Sequence, residues 1–146
     1  YLEGIRSGHS TFETTVPTWE QWDAGHLPFA RLVMRDEDVV LGWAALSSAS
    51  RRHVYRGVAE STVYVKENQR GKGIGRALLE ALITESEQNG IWTLQASIFP
   101  ENTASLELHL RCGFRAVGRR ERIAQLDGAW RDTLMLERRS STVGIE

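Results

Sequence analysis

The stretch 69-QRGKGIGRALLEAL-82 constrains the fold more than any other part of the chain. Glycines at 71, 73 and 75 alternate with basic and apolar residues, and a helix-periodic run follows at once. Glycine weakens a helix by roughly 1 kcal/mol relative to alanine. Glycines crowded at a helix start therefore mark a backbone that must turn unusually or be approached closely. Ile74, Ala77, Leu78, Ala81 and Leu82 recur at helical spacing and predict one buried stripe, with Asn89-Gly90 as the stop. Upstream, Glu60 to Val65 alternates with β-branched residues and reads as a strand.

A strand, a glycine turn and a helix N-terminus together present backbone N–H groups and the positive end of a helix dipole to an anion. Lys66, Arg70, Lys72 and Arg76 add positive charge, opposed locally only by Glu67. A nucleotide-hydrolysis loop is excluded, because Gly73 follows Gly71-Lys72 where Ser or Thr is required and Lys66 replaces the first glycine. A dinucleotide fingerprint is excluded as well. Counted from Gly71 its third glycine falls on Arg76, and counted from Gly73 it falls on Leu78. What remains is R-x-x-G-x-G over Arg70 to Gly75, suited to a pyrophosphate.

The rest of the chain fits one domain. It has 146 residues, of which 41% are apolar, enough for one core. Leu2 to Ile5 reads as the end of a helix broken at Gly8, and Thr18 to Gln21 fits a capping box opening a short helix. Strands are expected at 31–34 and 39–49 around the turn 35–38, and at 92–98. A helix is expected at 102–112, and an antiparallel pair at 115–126 and 130–137 across Asp127-Gly128. The order is β-β-β-α-β-α-β-β, an α+β fold with a mixed, mostly antiparallel sheet. The domain is read as 1–139, with a frayed tail over 140–146. A net charge of −1 argues against a general nucleic-acid binder. No apolar run is long enough to span a membrane, and the single cysteine, Cys112, has no intrachain partner. These features lead to the expectation of a cytoplasmic protein. The four histidines show no metal-ligand spacing.

The Arg70–Gly75 pattern resembles the acyl-CoA signature of the GCN5-related N-acetyltransferases. Beside it, 60-ESTVYV-65, 100-PENTAS-105, 109-HLRCGF-114 and 127-DGAWRDTLMLERR-139 resemble the phosphinothricin and methionine-sulfoximine N-acetyltransferase branch, with 11-TFET-14 a weaker match. The resemblance runs from about residue 2 to 139. It implies the acyl-CoA N-acyltransferase fold, acetyl-CoA as cosubstrate without a metal, a small amine as acceptor, and a homodimer. Family members also carry a further strand and most of a helix ahead of the position of Tyr1, so these are expected to be missing here.

Site residues follow from the same resemblance. Backbone groups of Val63, Tyr64 and Val65 would bind the pantetheine arm, and Arg70, Gly71, Lys72, Gly73, Ile74, Gly75 and Arg76 the pyrophosphate. Asn102 matches a residue that hydrogen-bonds CoA, although asparagine is also a good helix N-cap. Glu60 stands at the start of an apolar strand, where a carboxylate is unfavourable unless used or paired. By resemblance it is the base near the substrate amine; the plain reading is a salt bridge to an arginine such as Arg56. His109 stands where many relatives of the wider family have a tyrosine that protonates the leaving thiolate. A general acid and a packed histidine both remain open. Arg51, Arg52 and Arg56 precede the Glu60 strand on a segment that lines the acceptor site in relatives, and a guanidinium suits a carboxylate or phosphinate. Ser61, Thr62 and Phe12 complete the expected acceptor contacts. Trp130 is a further apolar wall, although the five tryptophans are expected mostly in the core. Cys112, at a helix C-terminus, is expected to be a buried small residue. Three readings stand: an acetyltransferase of a small amino-acid-like amine by direct transfer, an acyl-CoA sensor without catalysis, and an acetyltransferase of protein amines.

Overall fold

The computed structural model describes residues 1–146. Two short helices, α1 (Leu2–Ser7) and α2 (Trp19–Gly25), precede strands β1 (Leu32–Asp36), β2 (Val39–Ser48) and β3 (Val58–Val65). Helix α3 (Ile74–Gln88), strand β4 (Thr93–Ile98), helix α4 (Thr103–Arg111) and the hairpin β5 (Arg115–Leu126) and β6 (Ala129–Arg139) follow. Thr18 caps α2 reciprocally with Gln21, as the T-x-x-Q pattern predicts. The six strands form one sheet in the order β1-β2-β3-β4-β6-β5. Every neighbouring pair is antiparallel except β3 and β4, which are joined through α3 and run parallel.

One face of the sheet holds Leu46, Ala59, Leu94, Ala96 and Leu136, packed against Leu78, Leu79 and Leu82 of α3. The buried face of α3 is Ile74, Leu78, Leu79, Leu82, Ile83 and Ser86. Ala77 and Ala81, expected in the stripe, are exposed. The large side chains at 78, 79, 82 and 83 pull the contact line past the small alanines, because they bury more area per residue.

The opposite face carries the alternate residues Trp43 and Tyr64, and then Glu60. Tyr1 of the N-terminal segment stacks on Tyr64 at 5.3 Å, and Trp22 of α2 meets Trp43 edge-on at 5.5 Å. None of the five tryptophans is fully buried, contrary to expectation, and Trp130 is 52% exposed. Trp22 and Trp43 form an outer layer of the sheet rather than its core. An apolar pocket of about 400 Å³ opens beside β1, lined by Trp19, Trp22, Val33, Val40 and Trp43. It lies on the β1 side of the sheet and is lined by no residue of β3.

The tail, expected to be frayed, is hydrogen-bonded to the rest of the chain from Ser140 to Gly144. Ser140 is buried, its amide donates to the Trp92 carbonyl, and its hydroxyl donates to Glu87. Thr142 also donates to Glu87, and the Arg139 guanidinium holds the carbonyls of Ser140, Val143 and Gly144. Most of these bonds are made by side chains of distant residues, which a polar C-terminal composition does not reveal. No helix is long and apolar enough to cross a membrane.

Candidate active site

β3 and β4 pair at only three positions, Val58↔Thr93, Ala59↔Leu94 and Glu60↔Gln95. Beyond them the strands part. β3 continues to Val65 along β2, and β4 continues to Ile98 along β6. The Ser61 hydroxyl still reaches the Gln95 carbonyl at 3.4 Å, the last link across the divide. A wedge-shaped gap therefore opens in mid-sheet, with Glu60 at its vertex.

The backbone groups lining that gap follow from the register. Lys66 donates its amide to the Leu41 carbonyl on β2. In an antiparallel pair alternate residues turn toward the same neighbour. Tyr64, Thr62 and Glu60 thus turn their amides and carbonyls to β2, whereas Val65, Val63 and Ser61 turn theirs into the gap. Val63 and Val65 thus turn their main chain away from β2, whereas the main chain of Tyr64, also expected to bind the pantetheine arm, is committed to β2. The side chains of Val63 and Val65 meanwhile pack on the core. Ser61 also departs from expectation: its side chain is buried on the α3 side of the sheet, away from Glu60, while Thr62 shares Glu60's face.

At the far end of β3 the chain enters the glycine turn. Gly71 and Gly73 have φ of 77° and 79°, the left-handed region that glycine adopts freely. An added Cβ at either would meet nothing within 4 Å, so the space before them is open. Gly73 is the N-cap of α3 without any side-chain cap, and the first helical bond is Ala77 to Gly73. The amides of Ile74, Gly75 and Arg76 point out of the helix end. Gly75 serves differently from the other two. A Cβ there would come within 3.2 Å of Leu108 and 3.4 Å of Val65, so its absence lets α3 close on α4 and β3. Arg70 and Lys72 are exposed at the rim, and Arg76 is paired along the helix with Glu80 at 2.8 Å. The open left-handed turn, the uncapped amides and the basic rim fit a pyrophosphate.

Glu60 is half-buried and forms no ion pair or side-chain hydrogen bond within the chain. Burial raises its carboxyl above the ordinary range, and Arg120 offsets part of that rise. The expected bridge to Arg56 is absent. Arg56 lies over Trp92 and donates to the His53 carbonyl, and Arg52 lies over Tyr55. Arg51, Arg52 and Arg56 are all exposed, and none of them influences Glu60.

His109 is 4% exposed, and its Nδ1 lies 2.7 Å from the Ser105 carbonyl one turn back, so that nitrogen carries the proton. Burial lowers its pKa, outweighing the hydrogen bond to Ser105. The ring packs edge-on against Phe114 at 4.9 Å. A neutral imidazole with Nδ1–H engaged has only a lone pair left on Nε2. This geometry favours the packed histidine over the general acid. Asn102 is the N-cap of α4, its Oδ1 accepting from the Ser105 amide and its Nδ2 donating to the His9 carbonyl. One amide hydrogen is left for a ligand.

Nothing local in the sequence shows how the loop after Gly8 is anchored. Arg131 on β6 donates to the Gly8 carbonyl at 2.9 Å and to His9 Nδ1 at 3.1 Å, and its guanidinium lies 4.3 Å from the Phe99 ring centre. Phe12 stacks edge-on against Phe99 at 4.7 Å. On the other limb Thr11 lies near Tyr64, whose phenol burial pushes up to about 12. The loop thus bridges β3 and the β4–β6 limb over the face that carries Glu60. Phe12, expected as an apolar wall of the acceptor site, sits in this loop. Its partners lie more than 80 residues away in sequence, so no local pattern announces them. Cys112 is half-buried at the C-cap of α4, and burial pushes its thiol up. No group of three or more His, Cys, Asp or Glu comes together to hold a metal.

The family model described as Acetyltransferase (GNAT) family matches residues 5–114, across both the parted strands and the glycine turn. The chain belongs to that family. Over 98 residues, 67% of its length, it is 38% identical to an L-methionine sulfoximine/L-methionine sulfone acetyltransferase of Pseudomonas aeruginosa. The matched stretch spans 57% of that relative. It is also similar to a phosphinothricin acetyltransferase from Sinorhizobium meliloti, solved in complex with acetyl-CoA, with TM-score 0.85 and 27% identity over 99% of this chain and 81% of that one. A ribosomal-protein-alanine N-acetyltransferase from Brucella melitensis gives TM-score 0.85 and 30% identity over 94% of this chain and 88% of that one.

Proposed function

We propose that the protein is an acetyl-CoA-dependent N-acetyltransferase that acetylates the α-amine of a small amino-acid-like acceptor of the phosphinothricin or methionine-sulfoximine type. The observation that carries this reading is the gap between β3 and β4, which has a carboxylate at its vertex and an anion cradle at its far end. Acetyl-CoA supplies the acetyl group as a thioester. Gly71, Gly73 and the amides of Ile74, Gly75 and Arg76 hold its pyrophosphate, with Arg70 and Lys72 as rim charges. Val63 and Val65 offer amides and carbonyls to the pantetheine arm as a missing strand would. The fit rests on the unpaired edge of β3 and the open space in front of Gly71 and Gly73.

Glu60 takes the proton of the acceptor's ammonium group, directly or through water. Its raised pKa brings it nearer the working range of a general base. Thr62 and Phe12 border the acceptor. The Cys112 thiol is held protonated at a helix C-terminus, which supports direct transfer to the amine over an acetyl-cysteine relay. Thiol release from acetyl-CoA, measured with free amino acids, methionine sulfoximine, methionine sulfone and phosphinothricin, tests the reading. Turnover with at least one α-amino acid supports it, and no turnover with any refutes it.

The likeness to a ribosomal-protein-alanine N-acetyltransferase favours a second reading, a peptide N-terminus as acceptor. A peptide with N-terminal alanine belongs in the same assay. Acceptance of that peptide over every free amino acid would favour this second reading.

A further inference from the structure

The loop over the gap has no backbone ladder to hold it. Residues 9–17 lie between α1 and α2, and none of them takes part in a main-chain hydrogen bond. On the β3 side the preceding helix is anchored: Glu3 accepts from the Glu67 amide at 2.8 Å, and a Cβ on Gly4 would come within 2.4 Å of the Tyr64 ring. On the far side the loop depends on side chains. Asn102 donates to the His9 carbonyl, and Arg131 supplies the rest. Its Nη1 donates to the Gly8 carbonyl at 2.9 Å, and its Nη2 donates to His9 Nδ1 at 3.1 Å and to Glu101 at 3.2 Å. The guanidinium also rests on the Phe99 ring, which Phe12 meets edge-on. Alternation along β6 puts Arg131 on the face of Glu137, whose row contains Gln95 and Glu60. Its side chain is only 16% exposed, although it stands near the start of a hairpin strand.

We propose that Arg131 is a positioning residue, which latches residues 8–12 across the gap so that Phe12 stands as a preformed wall of the acceptor site. The inference rests on the N-acetyltransferase reading above and names what orders its acceptor side. A guanidinium suits the task. It is planar, permanently charged and carries five donors in a fixed fork, so one side chain meets a carbonyl, an imidazole and a carboxylate while lying on an aromatic ring. The Glu101 carboxylate balances its charge, so the cation is not left uncompensated where water is largely excluded. Without the latch the loop samples other positions. Acceptor binding must then order it, and the apparent affinity falls by the fraction of molecules whose loop is in place.

The test measures the KM for acetyl-CoA, the KM for the best free amino-acid acceptor of the panel above, and Tm. The variants are Arg131→Met, Arg131→Lys, Phe12→Ala and the double variant Arg131→Met with Phe12→Ala. Arg131→Met should raise the KM for the acceptor by about 10- to 100-fold, the range of a lost charged hydrogen bond. The KM for acetyl-CoA should stay unchanged, because Arg131 touches neither the glycine turn nor the open edge of β3. Arg131→Lys keeps the charge without the fork and should show only part of the rise, and it serves the same comparison if Arg131→Met folds poorly. Because Arg131 acts through Phe12, adding Arg131→Met to Phe12→Ala should cost little further. Chymotrypsin should cut after Phe12 faster in Arg131→Met than in wild type, which reports the loop without any assay of activity. An unchanged KM for the acceptor in Arg131→Met overturns this inference and leaves the wider reading intact. So do fully additive effects of the two substitutions, or a loss of both KM values in step with Tm. A wild type that acetylates no amino acid overturns both.

Discussion

Alanine at Gly73 separates the folding role of the glycine turn from its binding role. Gly73 and Gly90 have nearly the same backbone conformation, φ of 79° and 78°, and at neither would an added Cβ meet an atom within 4 Å. A left-handed L-residue costs roughly 1–2 kcal/mol. The stiffer unfolded chain returns about 0.4–1 kcal/mol of this. Each substitution should therefore destabilise the fold by about 1 kcal/mol, a fall in Tm of about 2–4 °C for a chain of this size. The two should differ in binding, because Gly73 opens the helix that faces the proposed pyrophosphate and Gly90 follows the other end of the same helix. A methyl group in the cradle displaces at least one charged hydrogen bond, worth about 1.5–3 kcal/mol. The KM for acetyl-CoA should rise about 10- to 100-fold in Gly73→Ala and stay unchanged in Gly90→Ala. Thermal melts and thiol-release kinetics on both variants provide the readouts. Equal losses of Tm with an unchanged KM in Gly73→Ala would refute the cradle.

Glu60→Gln should lower kcat/KM at neutral pH by about 10²- to 10⁴-fold, with activity recovering as pH rises and the free amine accumulates. Because burial raises the folded-state pKa of Glu60, its carboxyl stabilises the fold fully only below its unfolded value of about 4.3. That stability is lost as pH rises through the folded value. Glu60→Gln should therefore melt higher than wild type at pH 8 and lose this advantage near pH 4. His109 has the opposite sign. Its pKa is lowered, so it contributes stability above about pH 6.5 that is lost as pH falls, and His109→Gln should flatten that part of the stability profile. Glu87→Gln should lower Tm by weakening the bonds to Arg138, Ser140 and Thr142, and should leave the KM for acetyl-CoA unchanged.

Local patterns gave most of the elements and the cofactor end of the site. The glycine turn, the capping box at Thr18 and the Asp127-Gly128 hairpin are each written within a few residues, because their chemistry is local. The separation of β3 from β4 is a different kind of feature. It depends on β6 pairing with all of β4 while β2 holds β3 from Ala59 to Val65, and neither strand's own sequence states it. The correction at Tyr64 has the same origin, since register decides which amides face the gap. The loop anchored by Arg131 depends on strand order, with a sequence separation of 123 residues from Gly8. His109 is ambiguous in the sequence because a histidine on a helix fits either a general acid or a packed side chain. The bond to Ser105 and the packing on Phe114 distinguish them.

Amide hydrogen exchange with and without acetyl-CoA tests the central claim most directly, namely that the unpaired edge of β3 receives the pantetheine arm. Tyr64 and Thr62 are already bonded to β2 and should exchange slowly in both states. Val63 and Val65 face the gap and should become protected only when acetyl-CoA binds, alongside Ile74 and Gly75 at the helix start. Tight binding of acetyl-CoA with no change at Val63 and Val65 would contradict the account.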